Sequence, residues 1–284
     1  MSLKELLRRM RKSRFFMAGA SIVAVIVVLS LLSPLIVAHD PVGLDLRKRL
    51  LEPEFLAKGW RGNILGTDPL GQDILTRLLI GSRMSLMISL TTVIATALVG
   101  TMLGLVSGYY ARAVDMVLMR IADVQLSIPP IILAIAVIAV LGTSITNLII
   151  VLIITGWPQY TRVVRGNVLV MRNMEFIQAS RALGSSSLRI MFTQVLPNVV
   201  TPLIILISQQ FGKIILVEAS MSFLGLGVPP PAPSWGSMIA DGREYLTTAP
   251  WVVVAPGCAL MFAVLGFNFL GDGVRDILDP KSKH

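Results

Sequence analysis

The sequence is poor in the residues from which most catalytic centres are built. Its 284 residues hold one cysteine, Cys258, and two histidines, His39 and His284. A single cysteine excludes an intrachain disulfide and any cysteine-based metal site. The two histidines lie after the first apolar run and at the last position, and no His-Glu-x-x-His occurs, so a zinc enzyme or a Ser-His-Asp relay has nothing to work with. Gly-x-x-x-x-Gly-Lys-Ser/Thr is absent, which excludes an ATPase of the phosphate-loop kind. Charge is scarce as well. Only 14% of residues are charged, against roughly 25% in soluble domains.

Apolar residues take up the difference, at 54% of the chain with a mean hydropathy of +0.77. That composition describes a membrane protein with several spans. The net charge of +9 is concentrated in two places. Residues 1–14 hold six basic residues and one acidic one, and residues 159–194 hold Arg162, Arg165, Arg172, Arg181 and Arg189 against Glu175. These segments carry +5 and +4, so the remainder is neutral in sum. Such clustering follows the positive-inside rule and disfavours a nucleic-acid-binding face.

The uncharged runs set the expected spans. Phe15–Ala38 is 24 residues long and follows Lys4, Arg8, Arg9, Arg11, Lys12 and Arg14. It exceeds the ~7–15 residues of a signal-peptide core and meets the ~20 of a spanning helix. An uncleaved first span is expected, with residues 1–14 as a cytoplasmic segment. Met84–Ala111 is the second run, with Gly100, Gly104 and Gly108 spaced for close helix packing. Val124–Thr161 is uncharged for 38 residues, about 57 Å as one helix. It has to turn, and Gly142-Thr143-Ser144 with Asn147 supplies the turn chemistry. Spans three and four are therefore expected as a hairpin, span three starting near Asp115. Ile190–Gly212 gives span five, which continues past Lys213 towards Glu218, and Tyr245–Gly271 gives span six. Residues 39–83 and 223–249 are the expected external loops, and 159–194 the cytoplasmic one. The whole of 15–284 reads as one six-helix domain.

Charges within spans mark function or a partner. Arg120 and Asp123 are expected to neutralise each other at one end of span three. Lys213 and Glu218 lie about 140° apart around a helix, so each faces a different neighbour, and both are candidates for a pathway or gate.

The positive loop contains a short helix bounded at both ends. Asn173 suits an N-cap, Glu175 the first turn and Gly184 the C′ position, so Met174–Leu183 is expected to be helical, with Ser185-Ser186-Ser187 capping the next helix. By itself such a helix is a linker or a docking knob. Gln178-Ala179-Ser180-Arg181-x-x-Gly184, followed by Leu196-Pro197, resembles the Glu-Ala-Ala…Gly loop of ABC importer permeases, with Gln178 and Ser180 in place of the usual Glu and second Ala. Three other stretches are similar to the shorter partner of the dipeptide/oligopeptide/nickel permease branch. They are Leu65-Gly66-Thr67-Asp68-Pro69-Leu70-Gly71-Gln72-Asp73-x-x-x-Arg77, Ser222-Phe223-Leu224-Gly225-Leu226-Gly227 with Pro233-x-Trp235-Gly236-x-Met238, and Phe267-Asn268-x-x-Gly271-Asp272-Gly273-x-Arg275-Asp276-x-x-Asp279-Pro280. Local physics reads the first as a turn, an Asp73 cap and an Asp73–Arg77 i,i+4 pair. Asp272, Arg275 and Asp276 read as an anchor just beyond span six.

The resemblance implies an all-α type I ABC importer permease fold in the inner membrane, with both termini cytoplasmic. It implies that the helix Met174–Leu183 is a coupling helix seated in an ATPase subunit, with Gln178, Ala179, Ser180, Arg181, Gly184 and Pro197 as its coupling residues. The implied partners are a second homologous permease, two cytoplasmic ATPase subunits and an extracytoplasmic solute-binding protein, all around the lipid bilayer. ATP and magnesium would sit on the ATPase subunits, with no cofactor on this chain, no metal and no nucleic acid. An ATP-independent secondary transporter is the alternative, and a membrane-embedded enzyme a more distant one. A secondary transporter usually shows paired repeats and interrupted midplane helices, and no convincing repeat is present.

Overall fold

A computed structural model describes residues 3–37, 40, 43–54 and 63–278. Among the described residues there is no β-strand, only an isolated bridge between Thr67 and Asp73. Asp279, Pro280, His39 and His284 lie outside the described residues.

The helices follow the apolar runs, with their ends set by capping. α1 (Leu3–Lys12) stops at Ser13, whose side chain caps α2 (Arg14–Ile36) by accepting the Phe16 N–H at 3.2 Å. α3 (Ile74–Tyr110) starts ten residues before the expected second span. It can do so because Asp73 caps its first turn, accepting from the Thr76 N–H at 2.8 Å, and because Arg77 finds anionic partners. At 37 residues it is about 55 Å long.

The third run breaks twice. α4 (Arg112–Ser127) and α5 (Pro130–Leu141) are bent by 96° at Ile128-Pro129. A residue preceding proline is pushed out of the helical region, and here Ile128 and Pro129 both precede one. The expected hairpin turn is also present: Gly142 has φ +79°, Ser144 caps α6 (Ile145–Met171), and the Asn147 side chain donates to the carbonyls of Leu141 and Gly142 at 2.8 and 3.0 Å. α7 (Glu175–Ala182) and α8 (Ser187–Ile190) follow. A five-residue π segment, Met191–Val195, joins α8 to α9 (Leu196–Phe223), so one helical rod runs through both. Pro197 accounts for the widening: its ring would strike the carbonyl four residues back in a regular α-helix. Span five therefore runs past Lys213 and Glu218, as expected, and ends at Phe223. α10 (Trp235–Gly242) has a Ser234/Ser237 capping box. α11 (Trp251–Leu278) takes in Asp272, Arg275 and Asp276, which lie within the helix and not beyond it.

Among the described residues four helices are long and apolar enough to cross a membrane: α2, α3, the α8–α9 rod and α11. The count is five if bent α4–α5 is one span. α6 carries Arg162 and Arg165 in its second half and falls outside that count, so the expected six spans are not reproduced by this measure.

The glycine stripe of α3 is its seam with α6. A Cβ on Gly104 would lie 2.7 Å from the Val164 Cβ, and one on Gly108 2.7 Å from the Val168 Cβ, while Gly100 is closed off by Tyr160. Such backbone approach is how helices gain dispersion contacts in lipid, where the hydrophobic effect does not drive them together. The Thr161 hydroxyl crosses the same seam to the Gly100 carbonyl at 3.1 Å. Here the stripe makes an intrachain contact, as expected. A second seam joins α2 and α11, where the rings of Phe15 and Phe269 are 5.8 Å apart.

Candidate functional site

α3 separates two sets of motif residues. At its start sits the 66–77 turn with α10, and against its end sits α7.

At the first end, the chain reverses at Gly66 (φ +79°) and Gly71 (φ +76°), which folds Asp68 back over Arg77. One Asp68 oxygen accepts the backbone N–H groups of Leu70 and Gln72 at 2.8 and 2.9 Å. The other takes a buried ion pair from the Arg77 Nη1, which also donates to Gln72 Oε1 at 2.6 Å. The Arg77 Nη2 lies 3.6 Å from Asp241 of α10. Asp241, half exposed, has its carboxyl pushed above the ordinary value by partial desolvation, against the pull of Arg77. The expected Asp73–Arg77 pair is thus replaced by Asp68–Arg77, because the Asp73 carboxylate is committed to the cap. Thr67 accepts from the Leu51 N–H at 2.8 Å and donates to the Lys48 carbonyl. Trp235 is buried and donates its indole N–H to the Leu78 carbonyl at 3.1 Å. Asp68, Gln72, Arg77 and Asp241 open onto a cavity of about 780 Å³, which the proline loop 228–231 closes on another side.

At the second end, α7 is held by one bolt. Ile177 is fully buried among Leu105 and Tyr109 of α3, Val164 and Val168 of α6, and Ile190, Met191, Val195 and Val199. The helix is one residue shorter at each end than expected, and Met174, not Asn173, holds the N-cap position. Asn173 contributes its carbonyl instead, accepting from the Gln178 side chain at 3.0 Å. The C-terminus closes as a Schellman motif: Ser185 N–H bonds the Ser180 carbonyl at 3.1 Å and Gly184 N–H the Arg181 carbonyl at 3.0 Å. Gly184 has φ +80°, the conformation that motif requires. Ser186 caps α8 by accepting from the Arg189 N–H. Gln194, in the π segment, donates to the Ser180 hydroxyl at 2.5 Å and clasps α7 to the rod. Around these anchors Ala179 and Gln178 face outwards, as do Phe176 and Leu183, the last 86% exposed. Ile177 and Gln194 were not among the expected residues. An isoleucine amid polar neighbours in a positive loop is the signal that could have found the first.

Between the two ends, Lys213 is exposed and Glu218 fully buried. Lys213 borders a small cleft with Gln159 of α6 and Gln210, whose amides bond to each other. Glu218 accepts from the Ser222 hydroxyl at 2.9 Å. Arg120 and Asp123 do not pair: Asp123 takes Arg162 at 2.5 Å, and Asp115 takes Arg165 through two bonds, one of 2.6 Å.

Residues 100–284 match the family model of the binding-protein-dependent transport system inner membrane component. The chain belongs to that family. Residues 2–53 also match the N-terminal TM domain of oligopeptide transport permease C. Over 280 residues the permease is 40% identical to a dipeptide transport system permease protein of Alkalihalophilus pseudofirmus, covering 99% of this chain and 90% of the other. It is 39% identical over 282 residues to a di/tripeptide transport system permease protein of Pseudomonas aeruginosa, covering 99% and 93%. The fold is similar to that in an inward-facing structure of the MetNI methionine ABC transporter, with a TM-score of 0.58 at 20% identity over 72% of this permease and 97% of that chain. The protein is thus a multi-pass, all-α permease subunit of an ABC importer, and the secondary-transporter alternative falls away. Permeases of this family work with an ATPase and a binding protein.

Proposed function

We propose that this permease forms half of a pathway for short peptides, beside a second, non-identical permease, and that α7 is its coupling helix. The observation that carries the peptide reading is identity near 40% with dipeptide permeases along nearly the whole chain. The coupling reading is supported by a helix capped at its C-terminus, bolted by Ile177, and surrounded by uncovered Phe176, Leu183 and Leu188. Exposed apolar groups of that size beside a docking helix call for a partner surface. An ATPase cleft receiving α7 would move the α8–α9 rod as one body. The ATPase subunits, with their ATP and magnesium, would lie on the side of residues 1–14 and 159–194. The binding protein would deliver its peptide at the opposite end, near the cavity bounded by Arg77 and Asp241. No catalytic step is assigned to this chain, and Lys213 is proposed to face the solute path.

Two experiments test this. In a Cys258→Ser background, Arg172→Cys and Ala232→Cys should react with an impermeant maleimide from opposite faces of inverted and right-side-out vesicles; reaction from one face would rule out the orientation. For coupling, Ala179→Trp should lift α7 from its socket. Gly184→Val forces a β-branched residue to φ +80°, at about 1–2 kcal/mol. Both should abolish peptide uptake in proteoliposomes, with ATP hydrolysis uncoupled or the ATPase lost, while the binding protein still binds peptide. Wild-type uptake by both variants with the ATPase retained would show α7 to be a passive linker. Uptake with two copies of this chain and no second permease would refute the heterodimer.

A further inference from the structure

Where α3 passes into α4, the backbone takes two consecutive positive φ values at non-glycine residues, Ala111 at 51° and Arg112 at 50°. This corner brings Arg112 to a cavity of about 210 Å³ whose other walls are Tyr109, Tyr110, Arg172, Asn173 and Arg181. No carboxylate lines it, and among the described residues none of the three arginines forms an ion pair. The acidic residue of this region, Asp115, is held by Arg165 and the Ser107 hydroxyl, and it acts on Arg172 only through its charge at longer range. Arg172 donates to the Gly108 carbonyl at 3.4 Å, and the Arg181 guanidinium lies over the Tyr109 ring at 5.4 Å. Tyr109 is only 7% exposed, and its hydroxyl has no hydrogen-bond partner. Three guanidinium groups around one small cavity are a donor set for an oxyanion.

The adjoining surface indicates which oxyanion. α4 turns Asp115 and Asp123 to α6, and the side away from them leaves Val117, Ile121 and Val124 more than half exposed, with Met116 and the exposed Arg120 along its edge. Tyr110, half exposed at the corner, has the amphipathic character of residues at a membrane–water boundary. An apolar strip leading from an arginine cluster matches a ligand with a charged head and hydrocarbon tails. We propose that Arg112, Arg172 and Arg181 bind the phosphate of an anionic phospholipid, with its acyl chains lying along the apolar side of α4. A lipid held there would bridge the α3–α4 corner to the base of the coupling helix.

The test uses the assembled importer in detergent, this permease with its second permease and ATPase subunits, with phosphatidylglycerol or phosphatidylcholine added. Retained lipid is counted by native mass spectrometry and stability read by thermal unfolding. Phosphatidylglycerol should be retained in preference to phosphatidylcholine and should raise the melting temperature. Arg112→Gln and Arg181→Gln should each weaken phosphatidylglycerol binding about fivefold, from ~1 kcal/mol per basic residue near the membrane surface. Tyr109→Phe, which keeps the ring beneath Arg181, and Arg189→Gln, outside the cavity, should both leave the headgroup preference unchanged. A folding defect would lower stability in both lipids alike, so the ratio between them isolates the site. Equal retention of the two lipids by the wild type would overturn the proposal. So would full reproduction of the stabilisation by inorganic phosphate alone, which would make this a free-anion site. Loss of the ATPase from the arginine variants with lipid retention unchanged would assign the cradle to a protein carboxylate instead.

Discussion

Gly104→Leu should prevent the permease from accumulating as a folded protein. The first carbon of the new side chain would lie 2.7 Å from the Val164 Cβ and 2.8 Å from the Thr161 carbonyl oxygen. Neither obstacle is a flexible tip: one is the branched root of a side chain and the other is backbone. Relief requires α3 and α6 to separate along their contact, which also loosens Gly100 against Tyr160 and Gly108 against Val168. Overpacking a tight site costs about 1–3 kcal/mol even when neighbours can adjust, and here the cost spreads over three turns. Gly166→Leu makes the control, because a Cβ at that position meets nothing within 4 Å. Membrane abundance and thermal unfolding in detergent should show Gly104→Leu severely reduced and Gly166→Leu near wild type. Equal behaviour of the two would mean that the α3–α6 seam does not carry the fold.

Arg77→Met should destabilise the other end of the molecule by about 3–5 kcal/mol, the usual cost of removing one member of a buried ion pair. The loss lies mainly in what is left behind. Asp68 is buried and keeps its two backbone donors but loses its cation, and Gln72 loses its donor as well. Asp241 would suffer less, because it is half exposed. Combining Arg77→Met with Asp68→Asn removes the stranded charge and should recover a good part of the stability, whereas Asp73→Asn, a fair N-cap itself, should cost under about 1 kcal/mol. Chemical denaturation of the three variants distinguishes this network from the Asp73–Arg77 pair that spacing alone suggests. If Asp73→Asn proved the most damaging, the assignment of partners here would be wrong.

That contrast shows where the sequence was readable. Asp73 and Asp68 are both near Arg77 along the chain, and helical spacing favours Asp73. The choice is made by two positive-φ glycines that fold residue 68 back and by a cap that occupies residue 73. The same holds for Asp123, which ignores Arg120 three residues away for Arg162 on another helix; that preference follows from how α4 crosses α6. Long apolar runs and the glycine stripe were legible because lipid allows the backbone few options, and close helix contact needs a small residue at every fourth position. The Schellman ending of α7 was legible for a related reason, since glycine at C′ is a local demand. The 96° bend at Ile128-Pro129 was written plainly in the two prolines, but the Gly142 turn already explained how 38 uncharged residues could fold, and a second break was not needed for length.

The π segment at 191–195 holds one residue more than a regular helix would use. A turn closed by i→i+5 bonds takes up about one residue more than an α turn for the same rotation, so the surplus is absorbed inside the segment and the helix on either side stays in phase. Gln194 meets Ser180 from within it, while Lys213 and Glu218 keep their separate surroundings further along. Deleting a single residue there would let the rod close to a uniform pitch with its far side nearly unturned. The same deletion in the regular part of α9 before Lys213 has no such slack, and would turn everything beyond it by about 100°, swapping an outward lysine for a neighbour.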